Sequence, residues 1–466
     1  MTPKPSFKGN SIFIALSKGY TLLISLVSLY ILTRYLTTDL YGIYSFSVAI
    51  AAVMIGILES GMEHIVVREI AIRKNSSHFF GAAISAKVLI LAFFLPIFYF
   101  IPIIFNFSEI ESKAIYILLV SVSVRNFFFI LPRAVFIAFG KLSYDLIYSL
   151  IVNTSKIILF IIVIIFDFGF LAVILSILIS DIISGLYGFY IVHKKFIPFK
   201  PVLDLSAIGY FINQTSQYVI SQWFIIAYFN IDIFFIRKFR PLSEIAYFSV
   251  PYTLLNSIIY FVVPLLSLYL PRLSVLKEKN DIYGFNQFRD RIYFWLFSLL
   301  LPICLGIFIF AHKLPTVIKG YEGSVLPLRI MALVVMLRCF DALNGYILIS
   351  YKKQKLVNIG QGTSFSINLI LDLMLIPTFG VIGASFATLI ADLVSFTIMF
   401  FKFAKKYLYT KILSLVWKPI VCGILFYFIA SKLVDVNMIL ALTMSFGVYA
   451  TTLLILKLND IIKMEL

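Results

Sequence analysis

Charged side chains are scarce in this chain: 13% of its 466 residues are Asp, Glu, Lys or Arg, about half the share carried by a soluble domain. That shortage excludes a soluble fold before any motif is considered. Cysteine and histidine are nearly absent, with three and four copies. Cys304, Cys339 and Cys422 fall inside apolar runs and have no Cys-x-x-Cys spacing, so neither a disulfide framework nor a zinc site is expected. They read as small apolar fillers. Long hydrophilic joints are missing too. The largest, residues 271–291, is basic and too short for the loop on which a membrane glycosyltransferase or polymerase builds its active site. Gly140-Lys141-Leu142 lacks the hydroxyl residue and the preceding glycine of a phosphate-binding loop. Direct ATP coupling is therefore not expected, and neither is a cofactor or a metal.

Hydrophobic residues fill the chain instead, at 61% and a mean hydropathy of +1.02. With about twenty apolar residues needed per crossing, the runs divide into about fourteen spans, from residues 11–32 to residues 436–456. The fold class is an all-α polytopic membrane protein. The first run is too long for a signal-peptide core and lacks a small-residue cleavage site, so it is expected to stay as a span. A net charge of +17 would suggest nucleic acid on a soluble chain, but here the bases lie between apolar runs and no nucleic-acid partner is expected. They gather on alternate sides, as at Arg68, Arg133, Lys194, Arg272, Lys277, Arg291, Lys352 and Lys405. That side is expected to be cytoplasmic and to hold both termini. Arg237, Lys238 and Arg240 are the one basic cluster on the opposite side.

The chain repeats itself. Gly169 and Gly380 stand 211 positions apart, and the same offset brings Lys141 onto Lys352, Phe168 onto Phe379, Asp181 onto Asp392 and Ser184 onto Ser395. The opening helices repeat at an offset of 203, with Arg34 on Arg237 and Tyr44 on Tyr247. Six helices separate equivalent positions, an even number, so the copies share one orientation and are parallel repeats about an axis along the membrane normal. The expected organisation is two six-helix lobes, residues 1–200 and 201–408, facing each other across a central cleft. Two additional helices follow in residues 409–466.

A charge at mid-bilayer costs about 2.5–3.5 kcal/mol even on the lenient insertion scale, so each one requires water or a partner. The cationic positions are Lys18, Lys87, Arg125, Lys156 and Arg338. Arg125 and Arg338 each sit near the middle of the fourth helix of a lobe, and a guanidinium fork suits phosphate oxygens. For Arg338 the alternative is an ion pair with Asp341 three residues on. Lys87 and Lys156 have the alternative of snorkelling to the surface. Lys18 shares a helical stripe with Thr21 and Ser25, and the seventh span carries Gln214, Gln217 and Ser221 on one face, so both helices are expected to line water. Among the acids, Asp181 and Asp392 are repeat mates with an expected structural role in capping or pairing with loop lysines. Asp372 and Asp341 are the candidates for proton or sodium coupling.

Residues 368–388, NLILDLMLIPTFGVIGASFAT, join two spans through an uncharged turn. Pro377 is expected to stop the first helix, and Gly380 and Gly383 to let the second begin at once and pack closely. The series Asn368, Leu371, Asp372, Leu375, Ile376, Pro377, Phe379, Gly380, Gly383, Ala384, Ala387, Thr388 resembles the eleventh and twelfth helices of bacterial polysaccharide exporters of the multidrug/oligosaccharidyl-lipid/polysaccharide (MOP) superfamily. The opening Arg34-Tyr-Leu-Thr-Thr-Asp-Leu-Tyr-Gly42-Ile-Tyr44-Ser45, with Glu59-Ser-Gly61 and Val67-Arg68-Glu69-Ile70-Ala71, is similar to the O-antigen (Wzx-type) flippases. Thr37 and Thr38 stand where that family usually has Gly-Pro.

The resemblance implies a MATE-like fold in a bacterial inner membrane. It also implies flipping of a polyprenyl-pyrophosphate-linked oligosaccharide from the cytoplasmic to the periplasmic leaflet by alternating access, driven by an ion gradient, in O-antigen or lipopolysaccharide biosynthesis. Membrane lipids and a polysaccharide polymerase would be its partners. A multidrug or cation antiporter of the same superfamily is the second reading, and would want carboxylates dominating the cleft. A membrane-embedded polymerase is the third, and conflicts with the short joints. No catalytic residue is expected.

Overall fold

The computed structural model describes residues 7–59, 61–72, 76–198, 200, 202–404 and 412–465. Side chains are described for these except 7–15, 57, 59, 71, 76, 216–229, 402–404, 412–415 and 457–465. Among the described residues every regular element is a helix, the solution open to a backbone that must satisfy its own polar groups in hydrocarbon. Twelve helical stretches are long and apolar enough to cross a bilayer. One of them, residues 354–401, contains two spans joined at a non-helical Gly380. A further 35-residue helix over Leu205–Phe239 brings the total among the described residues to fourteen. The chain divides into two compact units, Met1–Ile245 and Ala246–Leu466.

In the first unit α1 (Phe7–Tyr35) and α2 (Thr38–Glu59) are followed by a short helix α3 (Met62–Ile72) and then α4 (Ser76–Ile104). The apolar side of α3, Met62, Ile65 and Val66, is buried in one core with Phe80, Leu131 and Val135. Helix α5 (Glu109–Arg125) begins at a capping box in which Ser108 and Glu111 satisfy each other's backbone. It passes through a five-residue π-helical turn, Asn126–Ile130, into α6 (Leu131–Ala138). Helices α7 (Leu142–Ile165), α8 (Phe170–Ile191) and α9 (Leu205–Phe239) complete the unit. Packing and repeat divide the chain differently here: α9 opens the second copy of the repeat, yet it packs against α2 and α4.

A buried ion pair fixes α9 in that position. Arg237 donates to both carboxylate oxygens of Glu111, at 2.8 and 3.2 Å, and Glu111 is 1% exposed. Arg240 is likewise paired with Glu244 at 2.9 Å. Two of the three bases that break the charge asymmetry of the loops are therefore matched by anions.

The second unit contains α10 (Leu242–Ser267), α11 (Leu270–Glu278), α12 (Ile282–Phe310), α13 (Leu314–Val317), α14 (Val325–Ser350) and α15 (Gln354–Thr397), then α16 (Ile412–Leu433) and α17 (Met438–Glu465). The last two pack on α12 through Cys422, Phe426, Ala430 and Tyr449, and the Tyr449 hydroxyl donates to the Ser298 carbonyl at 3.0 Å. All three cysteines are buried free thiols.

The joint in α15 corrects the expectation for Pro377. The helix runs through that proline and breaks at Gly380, whose φ of 56° and ψ of −135° lie outside the helical region. Proline removes one donor in the last turn, but reversing the chain needs a positive φ, which glycine adopts without a Cβ clash. Gly383 then allows close approach: a Cβ there would lie 2.4 Å from the Leu375 carbonyl oxygen. The repeat mate Gly169, at φ 80°, makes the equivalent joint between α7 and α8. Burial repeats as well, with Asp181 and Asp392 each 6% exposed and Phe168 and Phe379 each 61%.

Candidate functional site

In the first unit three elements bring charge together at mid-span. Arg125 ends α5, Lys156 lies in the middle of α7, and Asp181 in α8; the three are within electrostatic reach of one another. Asp181 accepts the Ser121 hydroxyl at 2.7 Å and makes no ion pair at contact distance among the described residues. Arg125 is exposed, with its guanidinium 5.4 Å from the centre of the Phe129 ring. Neither Arg125 nor Lys156 has a hydrogen-bond or ion-pair partner among the described residues. In ordinary ionisation states the cluster holds two cations and one anion, a surplus of positive charge.

The π-helical turn shapes this site. Its i→i+5 bonding widens the turn, so residues four apart stay close to one line along the helix instead of rotating away. Arg125, Phe129 and Arg133 then share one face, and the Phe129 ring meets both guanidinium groups, with that of Arg133 6.0 Å from its centre. Arg133 pairs with Asp145 at 3.0 Å and Glu63 at 3.3 Å. Lys18 of α1 is within electrostatic reach of the same three residues, and α1 is tied to α7 by a 2.6 Å bond between the Tyr20 and Thr154 hydroxyls. Asp145 and Lys156 are eleven positions apart on α7, about 16 Å along the helix. The charged groups thus climb one face of the unit, balanced near Lys18 and unbalanced at Arg125.

The second unit is arranged differently. The Arg338 Nε donates to Asp392 Oδ2 at 2.7 Å, with side chains only 11% and 7% exposed. The guanidinium also lies 5.9 Å from the centre of the Tyr252 ring. The partner of Arg338 is thus Asp392 and not Asp341, and Asp392 pairs with this intramembrane arginine in place of the loop lysines expected for it. The reason is spatial: α14 and the second limb of α15 pack side by side, which joins residues 54 positions apart. Asp341 accepts the Ser395 hydroxyl at 2.9 Å, while its Oδ1 is buried with no hydrogen-bond partner among the described residues. Asp372 is fully buried.

Lys87 departs from the expectation of a cleft-facing base. It is fully buried and donates to the Leu58 carbonyl, near the end of α2, where helix carbonyls lack intrahelical donors. Thr21 is exposed and spends its hydroxyl on the Ser17 carbonyl at 2.8 Å; Ser25 is half-buried. Gln214 accepts from Arg68 at 3.4 Å, beside a network in which Arg68 and Tyr210 both bond Glu69. The side chains of Gln217 and Ser221 lie outside the described residues. Phe129, Arg133, Glu63 and Asp145 are the site residues that sequence reading missed. The signal for Arg133 was present, since Arg125 and Arg133 are spaced by eight, but its place next to a joint reads as an ordinary loop charge.

The chain is similar in fold to the lipid II flippase MurJ in an inward-closed conformation, at 15% identity and a TM-score of 0.79, covering 97% of this chain and 100% of that one. An inward-facing multidrug resistance MATE transporter of the MOP superfamily matches at 12% identity and a TM-score of 0.62, over 85% of this chain and 94% of that one. A MOP superfamily transporter from Pyrococcus furiosus matches at 12% and 0.60 over the same shares. No curated protein matches. The family described as polysaccharide biosynthesis protein matches residues 7–277. That is more than half of the chain, which therefore belongs to this family of multi-pass membrane proteins and has the fold of MurJ and the MATE transporters.

Proposed function

We propose that the protein flips a polyprenyl-pyrophosphate-linked oligosaccharide from the cytoplasmic to the periplasmic leaflet of a bacterial inner membrane, by alternating access, with both termini cytoplasmic. The observation that carries this reading is Arg125: an exposed guanidinium at mid-span, beside Lys156, with no ion-pair partner for either among the described residues. Two such cations facing hydrocarbon would cost roughly 5–7 kcal/mol on the lenient scale. Bordering water and awaiting an anion, they cost far less. A pyrophosphate supplies that anion, the planar guanidinium donates to its oxygens in a fork, and Lys156 adds a second positive charge. Lys18, beside Arg133, Asp145 and Glu63, forms the entry to this face. In this reading Arg338 is held by Asp392 and contributes through position, while Asp341 and Asp372 are the coupling carboxylates for a proton or sodium gradient. A polysaccharide polymerase would consume the product.

The test is Arg125→Ala and Lys156→Ala in cells that depend on the protein for surface polysaccharide. Both variants are expected to reach the membrane yet leave lipid-linked repeat units on the cytoplasmic leaflet. Normal surface polysaccharide in both would discard the assignment. The second unit gives one reason to keep cation antiport as the other reading, since it buries Asp372 and Asp392, with Asp341 within electrostatic reach of Asp392. Efflux of a lipophilic cation by reconstituted protein, lost in Asp372→Asn, would favour it.

A further inference from the structure

The second unit contains a groove that the proposed function does not use. It lies between the end of α10 and the start of α12, has a volume of about 300 Å³, and is walled by Val262, Leu265, Leu266, Ile292, Leu296 and Leu299. That volume is the lower bound for a small-ligand pocket, and its walls offer an occupant little but apolar contact. Its mouth is different. Tyr269, Phe288, Trp295 and Arg291 also border the groove, and Arg272 stacks on Phe288 with its guanidinium 4.6 Å from the ring centre. Aromatic residues beside bases mark the level where hydrocarbon gives way to headgroups.

The two arginines are available. Both are exposed and neither has an ion-pair partner among the described residues. Two acids close in sequence are committed elsewhere: Asp290 to Arg289 at 2.7 Å, and Asp281 to the backbone of Gly284 at the start of α12, at 2.8 Å. An apolar slot with two uncompensated guanidinium groups at its mouth matches an acyl chain under an anionic headgroup. We propose that this groove binds an anionic phospholipid, its acyl chain against Leu266, Leu296 and Leu299 and its phosphate against Arg272 and Arg291. Bulk lipid is the favoured occupant because a groove open to the bilayer meets it at far higher concentration than any lipid-linked intermediate, and occupancy follows mass action.

The full-length protein, incubated with equal amounts of phosphatidylglycerol and phosphatidylcholine, is examined by native mass spectrometry for retained lipid. Two basic residues near the headgroups, at about 1 kcal/mol each, correspond to roughly a 30-fold preference for the anionic lipid. The Arg272→Gln/Arg291→Gln variant is expected to lose most of that preference. Leu299→Trp, which fills the groove from its exposed wall, is expected to lower retention of both lipids. Because the arginines are exposed, added salt is expected to weaken the preference of the unmodified protein, a readout that does not depend on any variant folding. An unchanged preference in the double variant or in high salt overturns the proposal. So does displacement of the bound lipid by stoichiometric polyprenyl pyrophosphate, which would make the groove a tail site for cargo.

Discussion

Removing Arg338 and removing Asp392 should have unequal effects, although the two form a single pair. The pair is close, at 2.7 Å, and nearly sealed, at 11% and 7% exposure. At charge separations near 4 Å and an effective dielectric of about 20, the attraction is of order 4 kcal/mol. Losing one member of such a pair typically costs about 3–5 kcal/mol, because the other is left buried and unmatched. Asp341 changes the balance, since it is within electrostatic reach of both partners. In Asp392→Leu the arginine keeps a carboxylate nearby, and the loss should fall toward 2 kcal/mol. In Arg338→Met two acids are left within reach of each other without the arginine between them, and the loss should reach the upper end of the range. The double variant, which also removes the second acid, should recover most of the damage done by Arg338→Met. Thermal unfolding in nanodiscs, followed by intrinsic fluorescence, measures all four proteins. Equal losses in the two single variants, or a double variant as poor as their sum, would refute the electrostatic account of this cluster.

Other outcomes follow from the same reasoning. Glu111→Gln should destabilise the first unit by about 1.5–3 kcal/mol, since Arg237, still 30% exposed, would lose its charge-assisted pair with a sealed carboxylate; loss of thermal stability is the measure. Gly383→Ala should cost about 1–3 kcal/mol and lower the amount of folded protein, because its Cβ would meet the Leu375 carbonyl oxygen at 2.4 Å. Phe129→Leu keeps an apolar side chain but removes the ring that contacts Arg125, Arg133 and Tyr148. It should weaken cargo binding by a few-fold, the worth of one exposed cation–π contact, and cost about 1 kcal/mol of stability through the lost ring pair.

Legibility in the sequence followed the range of the interactions. The spans, their number and the repeat were readable because hydrophobicity and turn chemistry are local: Gly169 and Gly380 mark the joints that only a positive φ can make. Arg125 and Lys156 stood out as candidates because a base in an apolar run is conspicuous whatever surrounds it. What such a base touches was not readable. Lys87 and Lys156 look alike in sequence, yet one is sealed against the Leu58 carbonyl and the other has no partner among the described residues. Arg338 had an acid three residues away and took one 54 residues away, since helix packing outweighs sequence spacing. The π-helical turn at residues 126–130 left no local mark, and without it Arg133 and Phe129 could not be placed beside Arg125.

The proposed function turns on whether Arg125 and Lys156, which have no ion-pair partner among the described residues, hold a pyrophosphate. Binding of polyprenyl pyrophosphate and of the corresponding polyprenyl alcohol to the purified protein, in parallel with Arg125→Gln/Lys156→Gln, measures this. The account expects the pyrophosphate to bind at least ten-fold more tightly than the alcohol, with that advantage weakened by salt and abolished in the double variant. Equal affinity for the two lipids, or an advantage that survives the loss of both cations, would contradict it.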